Sequence, residues 1–291
     1  MKLYLVLFFL FICNSFQLLG LTNPGGSCLG IKSEMIKDSI KITSFNIRLA
    51  SANDGINRWQ NRKELLKQYI LNKKPDILGV QEAELVQMTF IDSLEGYDYV
   101  GVGRDNGMSQ GEFSAIFYNS DKYEVKESGT FWLSSTPNKP TMGWDAVCYR
   151  ICTWARFSGK DHKEFYVLNT HFDHIGKTAR IESARLIMSK INLLNPSLPI
   201  FLMGDFNTES ESLPIRVIQD FMADSRAIAE IPDDTDGMTF NNFSESVPAS
   251  IKIDFIFVNN MIRVLSFKTN KEKPEGRFIS DHYPVEGVFV Y

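Results

Sequence analysis

Between residues 40 and 291 the chain holds six apolar, strand-length runs, and each carries a carboxylate, an amide or an imidazole at or beside one end. The ends read "SFN" (Asn46), "VQE" (Glu82), "NTH" (Asn169 and His171), "GDFN" (Asp205 and Asn207), "KID" (Asp254) and "SDH" (Asp281 and His282). A run as apolar as "IFLMGD" has to be buried. Its polar end is therefore pinned at the margin of the core, where α/β folds build sites. Residues two apart on an extended strand face the same way, so Asp205 and Asn207 are expected to address one point together.

Amphipathic segments alternate with these runs. In "RWQNRKELLKQYILNKKP", Trp59, Leu66, Tyr69 and Ile70 fall on one side and Pro75 lies beyond the end; in "TARIESARLIMSKINLLN", Ile181, Ala184, Ile187, Ile191 and Leu194 recur at helical intervals before Pro196. A further helix is expected through "AELVQMTFIDSL", and short strands at "YDYVGVG", "SAIFYN", "YEVKESGTFWL" and "RICTWARF". There is no internal repeat, low-complexity tract or linker. A chain of 291 residues with 44% hydrophobic and 12% aromatic content can bury one large core. Strands and helices in this order predict packed sheets with helices outside, an α/β architecture.

The N-terminus reads differently. Lys2 precedes an uninterrupted apolar run, Leu3 to Ile12, which Asn14, Ser15 and Gln17 then interrupt. That is the charged, apolar and polar series of a secretory signal, and it stops short of the ~20 residues a membrane span needs. Residues 1–27 are assigned to a leader, with Ser15, Gly20 and Ser27 all small enough to precede cleavage, and 28–291 to a single domain. The mature chain is expected to be secreted or periplasmic. An uncleaved anchor to Leu21 and a lipid-modified Cys13 or Cys28 are the weaker readings, since Ile12 is too bulky to precede such a cysteine and Cys28 is far from the apolar run. Export implies an oxidising compartment. Even so, Cys148 and Cys152, four apart along one strand, lie ~13 Å from each other and cannot bridge. No second Cys or His pair has the spacing of a zinc site.

Each polar strand end has an ordinary explanation taken alone, because Asn and Asp cap helices and make turns. Chance capping does not explain one palette shared by all of them. Carboxylates and amide oxygens without thiolates suit a hard cation, Mg²⁺ or Mn²⁺, and two histidines beside it suit proton transfer or contact with a phosphoryl oxygen. The sequence has no G-x-x-x-x-G-K-[ST] and no G-x-S-x-G, so neither nucleotide cradling nor serine acyl transfer is indicated. The chemistry left is metal-assisted attack of water on a phosphate ester.

The ordered motifs "ITSFNIR", "PDILGVQE", "GEFSAIFYN", "YVLNTHFDH", "LMGDFNT", "IDFIFV" and "SDHYPV" resemble the endonuclease/exonuclease/phosphatase superfamily, also called deoxyribonuclease I-like, from about Ile40 to Tyr291. The resemblance implies a four-layer α/β sandwich, two central mixed β-sheets flanked by helices, and a divalent-metal-dependent phosphoesterase. It implies that Glu82 binds the metal, with Asn46 near metal and phosphate and Asp281 an acid near the metal. It further implies that His171 contacts the phosphate or assists the leaving group, that Asp205 and Asn207 position and activate water, and that Asp254 orients His282. One metal held by Glu82 and Asp281 is expected.

The substrate is less legible. Trp132 and Trp144 are candidates for a base- or sugar-stacking platform or for simple loop packing, and Arg104 and Arg150 for a phosphate clamp or ordinary ion pairs. Asp173 and His174 are candidate supports for the site. Nucleic acid, phospholipid headgroup, inositol phosphate and phosphosugar all remain open. The net charge of −4 argues against tight duplex binding. The alternative to an enzyme is a non-catalytic binding module that keeps the fold.

Overall fold

The structure, a computed structural model, describes residues 39–247 and 251–291. The expected leader, with Cys13 and Cys28, lies outside the described residues. Among the described residues, twelve strands form two mixed six-stranded sheets. The first has the order β11 (Arg263–Thr269), β12 (Val285–Val290), β1 (Ile40–Asn46), β2 (Ile77–Ala83), β4 (Phe113–Asn119), β3 (Tyr97–Val100). The second has the order β5 (Tyr123–Trp132), β6 (Ile151–Gly159), β7 (Glu164–His171), β8 (Ile200–Asp205), β10 (Asp254–Val258), β9 (Ala223–Asp224). β1 and β2 run parallel, as do β7 and β8, while the other pairs are antiparallel.

Three apolar clusters separate four layers. Ile42, Ile77, Phe165, Phe201, Met203 and Ile256 lie among the residues packed between the sheets. The outer face of the first sheet is covered by the helices Trp59–Lys73 and Leu85–Asp92, and that of the second by Lys177–Ile191 and Leu213–Gln219. This is the α/β sandwich expected from the motifs.

Strand periodicity then decides where the polar ends point. In β8, Ile200 and Leu202 join the outer cluster while Phe201 and Met203 face the other sheet, so Asp205 inherits the inner face. The same parity carries Asn46 after Ile40 and Ile42, His171 after Phe165 and Val167, and Asp254 before Ile256 and Val258. Gly79 allows this close approach, because a Cβ there would meet the Met203 methyl of the facing sheet at 2.4 Å.

Three expectations need correction. The strand β11 was not foreseen, because "RVLSFKT" lacks an unbroken apolar run and only Val264 and Phe267 of it join the inter-sheet core. Asp205 and Asn207 do not meet by strand alternation. β8 ends at Asp205, Phe206 turns into the outer core, and Asn207 adopts a left-handed φ of 48°. Cys148 and Cys152 are both free thiols, although Cys148 precedes β6 and so does not lie with Cys152 along one strand as expected.

Candidate active site

The polar ends converge on the margin of the inter-sheet core. Asn46 sits at the centre: its Nδ2 donates to Glu82 Oε1 at 3.0 Å and to Asp205 Oδ2 at 2.9 Å, so one amide ties the first sheet to the second. Its Oδ1 accepts from the Arg48 N–H at 3.1 Å. Glu82 would face the outer core if β2 kept its alternation. A break in the β2–β4 register between Val80 and Ala83 and a left-handed φ of 60° turn it toward the site instead. Its Oε2 accepts from the Leu49 N–H at 3.1 Å.

Asp205 and Asp254 are cross-strand partners of β8 and β10. Asp205 Oδ1 accepts the Asn207 N–H at 2.9 Å. Asn207 Nδ2 donates to the Phe172 carbonyl at 3.0 Å and lies 2.9 Å from His171 Nε2, which therefore accepts. His282 Nδ1 is 2.9 Å from Asp254 Oδ2, and its Nε2 is 3.8 Å from Asp205 Oδ2. Thus the aspartate–histidine pair expected from the sequence is a hydrogen bond across 28 positions.

Burial and charge give these groups different protonation. Burial, reinforced by the Asp254 charge, pushes the Asp205 carboxyl up to about 7. Burial pulls the His282 imidazole down, but the Asp254 carboxylate and its hydrogen bond, with Asp205 and Asp281 beyond, outweigh it and raise the ring to about 10. His171 goes the other way: burial, then the Arg150 and Arg104 charges, hold it well below the ordinary imidazole range. Asp281 is raised by burial and by the Glu82 charge.

The donor set fits a hard divalent cation. Glu82, Asp281 and Asp205 crowd one margin with Arg48 between them, its guanidinium 3.6 Å from Asp281 and 3.8 Å from Glu82. Burial first, and then the Glu82 charge, push Asp281 up, and a cation between the two carboxylates would offset both. All the oxygens are hard donors and no thiolate stands among them. Asp205, Asp254 and His282 also bring ligand atoms within 4.8 Å of one another, but the hydrogen bond within that group engages the His282 nitrogen nearest Asp254.

A cavity of about 890 Å³ opens over these residues and is lined by Arg48, Glu82, His171, Asp205, Asn207, Asp281 and His282, together with Glu112, Arg150 and His174. Of the substrate candidates, only Arg150 lines it. Arg104 stands behind, its Nη1 bonded to Glu112 Oε2 at 2.7 Å. Trp132 is buried and donates its indole N–H to the Arg104 carbonyl at 2.7 Å, so it packs the loop and offers no platform. Trp144 is 40% exposed and is not part of the lining. Sequence reasoning missed Arg48 and Glu112. The signal for Glu112 was present: it immediately precedes β4, and because β4 runs antiparallel to β2, the start of β4 lies at the same margin as the end of β2.

The profile of the endonuclease/exonuclease/phosphatase family matches residues 43–282. Among solved structures, the mannosyl-6-phosphatase of Bacteroides thetaiotaomicron VPI-5482 is 38% identical, with a TM-score of 0.82 over 87% of this chain and 100% of that one. A family protein from Bacteroides vulgatus is 40% identical, with a TM-score of 0.82 over 86% of this chain and 98% of that one. An uncharacterized protein of Acanthamoeba polyphaga mimivirus is 33% identical over 170 residues, 52% of this chain. The match spans 60% of the length of that curated relative.

Proposed function

The chain belongs to the endonuclease/exonuclease/phosphatase family, and from that premise we propose that it is a divalent-metal-dependent phosphoesterase acting on a small phosphate monoester of the sugar-phosphate class. The observation that carries the reading is the convergence of Asn46, Glu82, His171, Asp205, Asp254 and His282 at one margin, tied across the two sheets by the Asn46 amide. The substrate class draws on the similarity to a mannosyl-6-phosphatase and on a cavity volume suited to a small molecule.

Glu82 and Asp281 would hold the cation, with Asn46 beside them. Once bound, it would supply Lewis-acid polarisation of the phosphoryl group and charge neutralisation. The protein's own groups do the rest. Asp205, titrating near neutrality, takes the proton of the attacking water, for which such a pKa is well matched. The Asn207 and Asn46 N–H groups hold its two oxygens, one each. His282, kept protonated by Asp254, donates from Nε2 to a phosphoryl oxygen, and neutral His171 fixes Asn207. Water oxygen bonds to phosphorus as the ester P–O bond breaks; the departing alcohol oxygen takes a proton from solvent, and Asp205 releases to solvent the one it took from water, so that one proton is gained and one lost.

A panel of phosphate monoesters and diesters assayed with Mg²⁺, Mn²⁺ and EDTA tests the reading, and full activity in EDTA would refute it. Glu82→Gln should raise the metal concentration needed for half-maximal rate. The proposal includes export of a single domain, residues 28–291, after loss of the leader, which lies outside the described residues. Among the described residues no helix is long and apolar enough to cross a membrane. Mass spectrometry of the protein made in its native host decides the point, an intact Met1 on a cytosolic product counting against it.

A further inference from the structure

We propose that Glu112, Arg150 and His174 form a subsite that reads neighbouring hydroxyl groups on an uncharged, sugar-like leaving group. The inference deepens the phosphoesterase reading and rests on it. Its starting point is the His171 ring, whose Nε2 faces Asp205 at 3.4 Å while its Nδ1 faces Glu112 at 3.9 Å. The ring therefore divides the cavity into a half where the reaction occurs and a second half that the mechanism does not use.

Arg150 dominates that second half. Its side chain lines the cavity yet is only 5% exposed. Nη2 donates to His174 Nδ1 at 3.0 Å. Nε stands 3.6 Å from Asp173 and Nη1 4.0 Å from Glu112, and neither nitrogen has a hydrogen-bond partner among the described residues. A buried charged donor left unmet costs more than a neutral one; Nε faces the buried Asp173 carboxylate, so Nη1, on the Glu112 side, is the N–H that calls for an acceptor from the cavity. Glu112 supplies the complementary function. Its contacts with Arg104, Arg150 and His171 all run through Oε2.

Charge decides what the acceptor is. Arg104 and Arg150 are matched by Glu112 and Asp173, and burial holds both His171 and His174 below the ordinary imidazole range, hence neutral. The second half is electroneutral, whereas Glu82, Asp205 and Asp281 outnumber Arg48 in the first. Another phosphate would sit against Glu112 with no charge to spare. A hydroxyl both donates and accepts, so one hydroxyl can accept from Arg150 and donate to Glu112 while its neighbour meets His174. The phosphate-clamp role expected for Arg104 and Arg150 is thereby replaced: Arg104 braces Glu112, and Arg150 binds the alcohol. Nor is this a metal site, although Cys148, Asp173 and His174 lie close together. Asp173 already accepts N–H groups from Val147, Cys148, Ile175 and Gly176 at 2.7–3.3 Å.

Calorimetric titration of the full chain in EDTA compares the 6-phosphates of mannose, glucose and galactose with phenyl phosphate, which has the same charge and no hydroxyls, and with mannose 1,6-bisphosphate. The best hexose 6-phosphate should bind at least about 10-fold tighter than phenyl phosphate, the size of one or two charge-assisted hydrogen bonds. Glu112→Gln should cut that ratio to below about 3-fold. His174→Ala, at an exposed position, should shrink it as well. A ratio near one in the wild type, equal losses for both ligands in both variants, or tightest binding of the bisphosphate would overturn the subsite. Phenyl phosphate hydrolysis with Mg²⁺ is measured in parallel: its absence would remove the esterase reading, while the binding ratio still decides the hydroxyl-reading one.

Discussion

Glu82 holds a backbone conformation that costs a non-glycine residue of order 1–3 kcal/mol, and the Asn46 and Leu49 hydrogen bonds to its two oxygens keep it there. Strain tolerated at that position turns a carboxylate away from the outer core and toward the cavity, which is a functional use of the bulge. At the same scale, Asp254 and His282 form a unit. Asp254 is fully buried, and its Oδ1 has no hydrogen-bond partner among the described residues, so its charge is spent on the ring. His282→Ala should lower kcat by about 10² to 10³, the usual cost of losing a positioned donor to the charge that develops in the transition state. Asp254→Asn should fall comparably, and the double variant well short of the product, since groups acting as a unit are non-additive. Steady-state kinetics on the three variants checks this, and losses that multiply would show that the residues act independently. The types of these side chains were legible in the sequence because a charged or amide group at the end of a buried strand has few other reasons to be there. Glu82's rotation and Asn207's left-handed turn were not, because both depend on backbone dihedrals that alternation does not specify.

Among the elements, the parallel pair β7–β8 sets the site's spacing, placing His171 opposite Asp205 and Thr170 opposite Gly204. Gly204 has φ of 150°, a region L side chains rarely adopt, and a Cβ there would come within 2.1 Å of the Thr170 carbonyl oxygen. Gly204→Ala must therefore either spread the two strands or twist β8 just before Asp205. A loss of about 2–4 kcal/mol is expected from overpacking plus strain, with a fall in activity per folded molecule as the 3.4 Å His171–Asp205 approach opens. Urea unfolding and active-site-normalised rates measure the two effects, and wild-type stability would show that the ladder can absorb a methyl. Elements with continuous apolar stretches, such as β2, β7 and β8, were readable because burial on both faces leaves no alternative. β11 escaped because an edge strand with one face exposed needs only a thin apolar pattern, and Glu112 because it stands just outside β4, before the apolar run begins.

At the scale of the whole molecule, the site exists only where the two sheets meet: the first contributes Asn46 and Glu82, the second His171, Asp205 and Asp254, and the segment leading into β12 brings Asp281 and His282. Arg62, fully buried, strengthens that union by donating to the carbonyls of Ile47 and Ile279 at 2.9 and 2.8 Å, which ties the chain beyond β1 to the chain before Asp281. Packing sheets so that carboxylates gather at their margin has a thermodynamic consequence. A carboxyl whose folded pKa lies above its unfolded value binds more protons when folded, so ionising it across the interval between the two weakens the fold. For Asp205 that interval runs from the ordinary 3.8 up to about 7, and Asp281 is displaced in the same direction. Stability contributed by protonating these two is present at low pH and lost as pH rises through their folded values. Asp173, Asp233 and Asp236 are lowered instead, and their opposite contribution is complete above the ordinary aspartate value, while His171 and His174, also lowered, add stability as pH rises to the ordinary imidazole value whether or not a cation is bound. A divalent cation takes the place of the lost protons, and a ligand at 100 times its Kd stabilises by about 2.7 kcal/mol. Saturating Mg²⁺ should therefore raise Tm by roughly 5 °C at pH 8 and by far less at pH 4.5, where protons already occupy the carboxyls. In a Glu82→Gln, Asp281→Asn double variant the gain at pH 8 should vanish. Differential scanning calorimetry in Mg²⁺ and in EDTA across this pH range is the measurement. An equal gain at both pH values, or one that survives the double variant, would mean that the cation stabilises the protein from somewhere other than the margin between the sheets.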